Sequence, residues 1–148
     1  MSSKLSARLL DIVNALPLKN GLRILEIGCG PGAAAREMAG RIGNGHVLGI
    51  DRSAKAISQA ISGSAQEIKA GSLSFRIAKV EDFELEPGEA KFDIAIAIRV
   101  GALDGRHPEI EKKALTKIAK ALKKGGVLYI DGGNPVKTLP IDTFRNSP

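Results

Sequence analysis

Apolar positions recur along this chain in two periods. From Ser3 to Leu16 the spacing is helical, with Leu5, Leu9, Ile12, Val13 and Leu16 on one face and Pro17 closing the segment. Beyond Pro17, short continuous apolar runs alternate with helix-period stretches. The runs predict strands over Leu22–Ile27, His46–Ile50, Leu73–Ile77, Phe92–Ile98 and Val127–Ile130. The stretches between them predict helices over Ala33–Ile42, Ala54–Ile68 and Pro108–Leu122, with a loop at Glu84–Glu89 and glycine breaks at Gly43, Gly71 and Gly125-Gly126. Such alternation implies an α/β fold: a doubly wound, mainly parallel sheet with helices on both faces and right-handed crossovers. A sheet of that kind takes its ligand outside the carboxyl ends of the strands.

Length and composition narrow this picture. The chain has 148 residues, enough for one core. It divides into a leading helix (residues 1–18), a core (20–131) and a tail (132–148) of a single expected domain. The tail, with Pro135, Pro140 and Pro148, is too short for two more full strands. The fifth strand would then be an open edge, which proteins cover or pair. Either the tail folds over it or a second copy does, and a homodimer is the expectation. Hydrophobic residues at 43% and charged residues at 26% are the mixture of a soluble protein. No run approaches the ~20 apolar residues needed to cross a bilayer. Met1–Leu5 opens without the apolar core of a signal peptide, and Cys29 stands alone, so a cytoplasmic protein is expected. The net charge of +6 arises largely from Lys113, Lys117, Lys120 and Lys124, which recur opposite Ile110, Ala114, Leu115, Ile118 and Leu122. That is the solvated face of an amphipathic helix. With no Trp, one Tyr and four Phe, none beside the lysines, nucleic acid is not an expected partner.

The densest chemistry lies in Leu25-Glu26-Ile27-Gly28-Cys29-Gly30-Pro31-Gly32, where the first strand meets its helix. Glycines at that corner let the backbone turn sharply and approach a ligand closely. Glu26 adds a carboxylate able to hold a cation or a pair of hydroxyls. The octet resembles the Glu/Asp-x-Gly-x-Gly-x-Gly motif of class I S-adenosylmethionine-dependent methyltransferases, matched by Glu26, Gly28, Gly30 and Gly32. Gly28, Gly30 and Ala33 also satisfy the dinucleotide fingerprint, so an NAD(P)-binding oxidoreductase is a competing reading. Cys29 reads as a small residue packed near the ligand.

The resemblance continues in order over residues 20 to 131. Asp51 ends the second strand, where a carboxylate accepts from both ribose hydroxyls or else caps the following helix. Arg52 either covers the adenine with its stem or lies exposed. After the third strand, the position resembling the family's adenine-binding aspartate holds Lys79, which cannot accept a hydrogen bond. Glu81, Asp82 or the backbone of Val80 would take that role. Phe83 reads as core. Lys91-Phe92-Asp93 resembles the family's Phe-Asp before a buried strand, Asp93 being structural, and Leu122–Leu128 resembles its Leu-Lys-Pro-Gly-Gly stretch with Lys124 for proline. The resemblance implies a Rossmann-like methyltransferase fold lacking its last two strands. It implies S-adenosylmethionine as cofactor, S-adenosylhomocysteine as product, and methyl transfer to a small molecule, with no metal. A non-catalytic S-adenosylmethionine-binding partner or sensor is the alternative. The segment Arg99–His107 would face the methyl group. Arg99 is expected among the cofactor groups, while Asp104 and Arg106 could orient an anionic substrate. His107 is a candidate base because its unperturbed pKa lies near neutrality, though it precedes Pro108 at a helix start and suits capping equally.

Overall fold

The structure, a computed structural model, describes residues 4–145; Ser3 and Pro148, where the first helix and the tail were expected to begin and end, lie outside it. Six strands form one sheet: β1 (Arg23–Ile27), β2 (His46–Asp51), β3 (Leu73–Ile77), β4 (Phe92–Ala97), β5 (Leu122–Asp131) and β6 (Val136–Leu139), in the order β3-β2-β1-β4-β5-β6. β1 to β5 are parallel neighbours. Strand order reverses at β1, which pairs Leu25 with Leu48 on one side and Ala95 on the other. A crevice opens at such a switch point because the crossovers to either side leave in opposite directions.

The side-chain alternation of the strands fills both faces. Leu25, Ile27, Leu48, Ile50, Ala95 and Leu128 point to the layer holding α5 (Pro108–Ala121). Ile24, Val47, Ile94 and Ile96 point the other way, toward α1 (Ala7–Ala15) and α2 (Ala33–Ala39). Helix α1 begins at Ser6, whose hydroxyl accepts from the Leu9 N–H, and buries Ile12 and Val13 as the periodicity requires. Glu26 has the same parity as Ile24 and so lies on the α1/α2 face.

Helix α2 ends three residues before the expected Ile42 and α1 begins only at Ala7, and three departures from the sequence pattern go further. The expected helix over Ala54–Ile68 is two helices, α3 (Ala54–Ser62) and α4 (Ala65–Lys69). Gly63 is a weak helix former, and the fully buried Ser64 hydroxyl turns inward to accept from Arg36 Nη1 at 2.9 Å. β5 begins at Leu122, five residues before the apolar run, with a register irregularity against β4. The tail supplies a sixth strand: β6 pairs antiparallel with β5, Tyr129 opposite Thr138. Its exposed, mixed sequence has no strand period of its own, so only the waiting β5 edge reveals it. The lysine face is also more than solvated: Lys113 pairs with Asp82 at 2.9 Å and Lys117 with Glu84.

Candidate functional site

Everything at the head of β1 hangs on the end of β2. The N–H groups of Gly28 and Cys29 both donate to the Ile50 carbonyl, at 2.9 and 3.0 Å. Gly30 N–H donates to Asp51 Oδ2 at 2.9 Å, and Gly32 N–H to the Cys29 carbonyl at 3.1 Å. Gly28 has φ 72 and Gly32 has φ 91, in the region that favours glycine. A Cβ at Gly28 would stand 3.1 Å from Val100, and one at Gly32 would meet Arg36 and Phe75 at 3.0 Å. Arg36 Nη1 also donates to the Pro31 carbonyl at 3.0 Å, tying the loop down from above.

The loop therefore spends the amides of Gly28, Cys29, Gly30 and Gly32 on the protein itself, beside two carboxylates, Glu26 and Asp51. A pyrophosphate cradle needs the reverse, a concavity of free N–H groups. Glu26 is 8% exposed, and its Oε1 is buried with no hydrogen-bond partner. Burial first, and then the charge of Asp51, push its pKa up to about 8, against the pull of Arg36. Asp51 accepts one N–H on each oxygen, from Gly30 and from Ser53, both at 2.9 Å. A carboxylate offers about four acceptor positions, so half remain open. Ser53, not Asp51, caps α3, its hydroxyl accepting from Ala56 N–H.

Two clefts meet at Gly28 and Arg99. The larger, about 440 Å³, brings together Gly28, Asp51, Arg52, Val80, Glu81, Arg99 and His107, with Lys79 on its wall. The smaller, about 270 Å³, holds Glu26, Gly28, Cys29, Gly30 and Arg99. Gly32 lines neither; it shapes the corner from beneath. The Cys29 side chain turns away into the sheet, its Sγ 3.0 Å from where a Cβ on Gly49 would stand, and burial pushes its thiol pKa up. Of the two acids after β3, Glu81 lines the cleft while Asp82 turns out to Lys113. Val80 buries its side chain in the core, leaving its backbone for the cleft, and Phe83 is 3% exposed. Asp93 lies at the far end of the sheet, accepting from Arg23 N–H at 2.9 Å and Lys123 Nζ at 3.0 Å.

The rim beyond β4 is irregular. Arg99 is a non-glycine residue at φ 56, a conformation costing about 1–3 kcal/mol. Its N–H is held by Asp131 Oδ1 at 3.2 Å. Asp104 is engaged within its own turn by Arg106, through the backbone N–H at 3.1 Å and Nε at 2.7 Å; that N–H, and then the guanidinium, hold its pKa below the ordinary value. His107 occupies the N-cap position of α5 without a side-chain cap bond and is exposed at the mouth of the larger cleft. The apolar pattern of α1 gave no sign that Ser6, Arg8 and Leu9 wall the smaller cleft, or that Lys137 reaches the rim. These are exposed or half-buried positions without a motif.

A profile described as a methyltransferase domain matches residues 18–147. The chain belongs to that family. An O-methyltransferase, rstn1, from Aspergillus nomiae is 33% identical over 130 residues, covering 84% of this chain and 55% of its own. A phosphoethanolamine N-methyltransferase from Haemonchus contortus, solved with S-adenosyl-L-methionine, has TM-score 0.66 at 28% identity over 83% of this chain and 27% of its own. The [4+2]-cyclase SpnF has TM-score 0.67 at 26% identity, covering 83% and 43%. This methyltransferase-domain chain thus spans about half or less of the length of the curated relatives it matches. The Rossmann-like α/β fold is that of the methyltransferases the chain resembles.

Proposed function

We infer that the chain binds S-adenosylmethionine and directs its methyl group to a small-molecule acceptor. The observation that carries this is the buried, unpartnered Glu26 Oε1 beside a glycine loop whose own amides are engaged. A buried acceptor without a partner in the protein is one that a donor on a ligand would satisfy. An ammonium at Glu26 and a hydroxyl pair at Asp51 match it, and the larger and smaller clefts give the two ends separate rooms. A pyrophosphate would find the loop amides already engaged and the charge of Asp51 against it.

S-adenosylmethionine, when bound, supplies a methyl already activated by its sulfonium. The chain's own task is to hold and align. Glu26 would take the amino-acid end and Asp51 the ribose, while Glu81 and the Val80 backbone would read the adenine edge, with Arg52 and Lys79 flanking it. Cys29 and Gly30 would contribute backbone, and Arg99 would close the junction of the clefts. Transfer then requires chiefly an acceptor held close and in line. Where that acceptor is a hydroxyl, His107 at the cleft mouth is the group to accept its proton. The reading places the chain in the cytoplasm, in keeping with the lone buried thiol of Cys29. The β5 edge that called for a second copy is covered by β6, and sedimentation velocity reads directly whether copies pair.

Calorimetric titration with S-adenosylmethionine, S-adenosylhomocysteine and NAD tests the reading. Both adenosyl compounds bind and NAD does not; binding of NAD alone overturns it. Asp51→Ala weakens S-adenosylmethionine more than tenfold, and an unchanged affinity removes Asp51 from the site. Transfer of labelled methyl to an acceptor separates an enzyme from a sensor.

A further inference from the structure

A third cleft, about 490 Å³, adjoins the other two at Arg99 and the first of them also at Val100. Its apolar floor is Ala97, Leu103 and Ile130, and its charged rim is Arg99, Arg106 and Lys137 together with Asp104 and Asp131. Both acids are already engaged. Asp104 is tied to Arg106 at 2.7 Å, and Asp131 accepts from Arg99 N–H at 3.2 Å and from Arg8 Nη2 at 3.4 Å. Among the described residues, neither the Arg99 guanidinium nor the Lys137 ammonium has an ion-pair partner. These two cations come from opposite sides of the cleft. Arg99 is placed by the left-handed turn after β4, and Lys137 by β6, whose register sets it opposite Ile130.

We propose that this cleft takes the acceptor, and that the acceptor is a small molecule with an apolar body and one anionic group, carboxylate or phosphate, received by Arg99 and Lys137. The assignment rests on the methyltransferase reading for what happens to the molecule, though not for its binding. An apolar floor beneath two unpaired cations suits an amphiphile whose charged end is fixed and whose body lies toward the junction at Val100. Cations in a concave, partly apolar setting attract an anion more strongly than the same cations on an open surface, because less solvent screens them. Arg106 supplies no such pull while Asp104 holds it.

The test is an amide-shift titration of the chain loaded with S-adenosylhomocysteine, using phenyl phosphate, benzoate and phenol as probes. Phenyl phosphate or benzoate shifts amides in 97–106 and 130–137, and phenol binds at least tenfold more weakly. The two anions, run separately, tell phosphate from carboxylate. Lys137→Gln and Arg99→Gln each weaken the better anion about tenfold, since each removes a charge-assisted contact, and Lys137→Arg restores it. Equal binding of phenol, shifts confined to the distant lysines 91, 120 and 124, or glutamine variants that bind as the parent does would overturn the proposal. If S-adenosylhomocysteine itself fails to bind, the cofactor reading falls. The same titration on the unloaded chain then still decides the anion site, because neither cation depends on the cofactor for its placement.

Discussion

The two ends of the sheet are built on opposite terms. At the amino ends, polar groups are matched. Asp93 takes a backbone N–H from Arg23 and the ammonium of Lys123, and Arg145 donates to the carbonyls of Ala119, Leu122 and Lys123 where α5 runs into β5. Among the described residues Arg23 Nε is the buried side-chain atom left unmatched there, and its guanidinium lies over the Phe92 ring at 5.0 Å while Nη2 donates to the Ala90 carbonyl. At the carboxyl ends, Glu26 Oε1 is orphaned, Asp51 keeps open acceptor positions, and Gly28, Gly30, Gly32 and Arg99 all sit at positive φ. One end holds the fold together. The other carries one strained residue, Arg99, and acceptors without a partner in the protein.

Substitutions at the two ends should therefore part company, and the largest effect belongs to Gly28→Val. It forces a β-branched residue to φ 72 with its Cβ against Val100. Affinity for S-adenosylhomocysteine falls about 100-fold by calorimetry, roughly 2.7 kcal/mol. A loss below threefold would show that the corner is not the contact surface.

Glu26→Gln comes next and should move stability and binding in opposite directions. The Glu26 pKa is raised from 4.5 to about 8 in the folded chain. Between those values the folded state keeps a proton that the unfolded state has released. Stability accordingly falls as pH rises through the window, by up to ~1.4 kcal/mol per pH unit. Urea unfolding of the parent at pH 5.5 and 7.5 reads that slope. The glutamine variant loses it and is more stable than the parent at pH 8, by about 1–3 kcal/mol, while S-adenosylmethionine binds more than tenfold more weakly. A variant less stable than the parent at pH 8 would mean that Glu26 has a partner.

Asp93→Ala, at the amino end, gives the smallest effect and the reverse pattern. Two hydrogen bonds to a partly exposed carboxylate are lost, and stability drops by about 1–2 kcal/mol. S-adenosylhomocysteine affinity stays within twofold. A parallel loss of affinity would mean that the two ends are coupled through β4.

Much of this arrangement is written in the one-dimensional pattern. The alternating runs identify the parallel sheet because burial on both faces demands continuous apolar strands. The octet from Leu25 to Gly32 identifies the switch point because only glycine tolerates the turn there at low cost. Asp51 and the Gly125-Gly126 break follow in the order the resemblance implies, whereas Lys79 stands where the family's adenine-binding aspartate would be and Glu81 enters the cleft two residues later. What escaped the pattern has a common cause. β6 has no period of its own and exists because β5 offers an edge. The break at Gly63 depends on Ser64 finding Arg36, 28 positions away.

Sequence alone, then, determined the fold class, the order of elements and the residues at the heart of the crevice, since these rest on local periodicity and local backbone freedom. Tertiary structure decided that Glu26 is left without a partner, that the loop's amides are taken by Ile50 and Asp51, and that Arg99 and Lys137 flank one cleft. Those facts depend on which distant groups meet. Whether a polar atom finds a partner is a property of the folded surroundings, and no spacing along the chain records it.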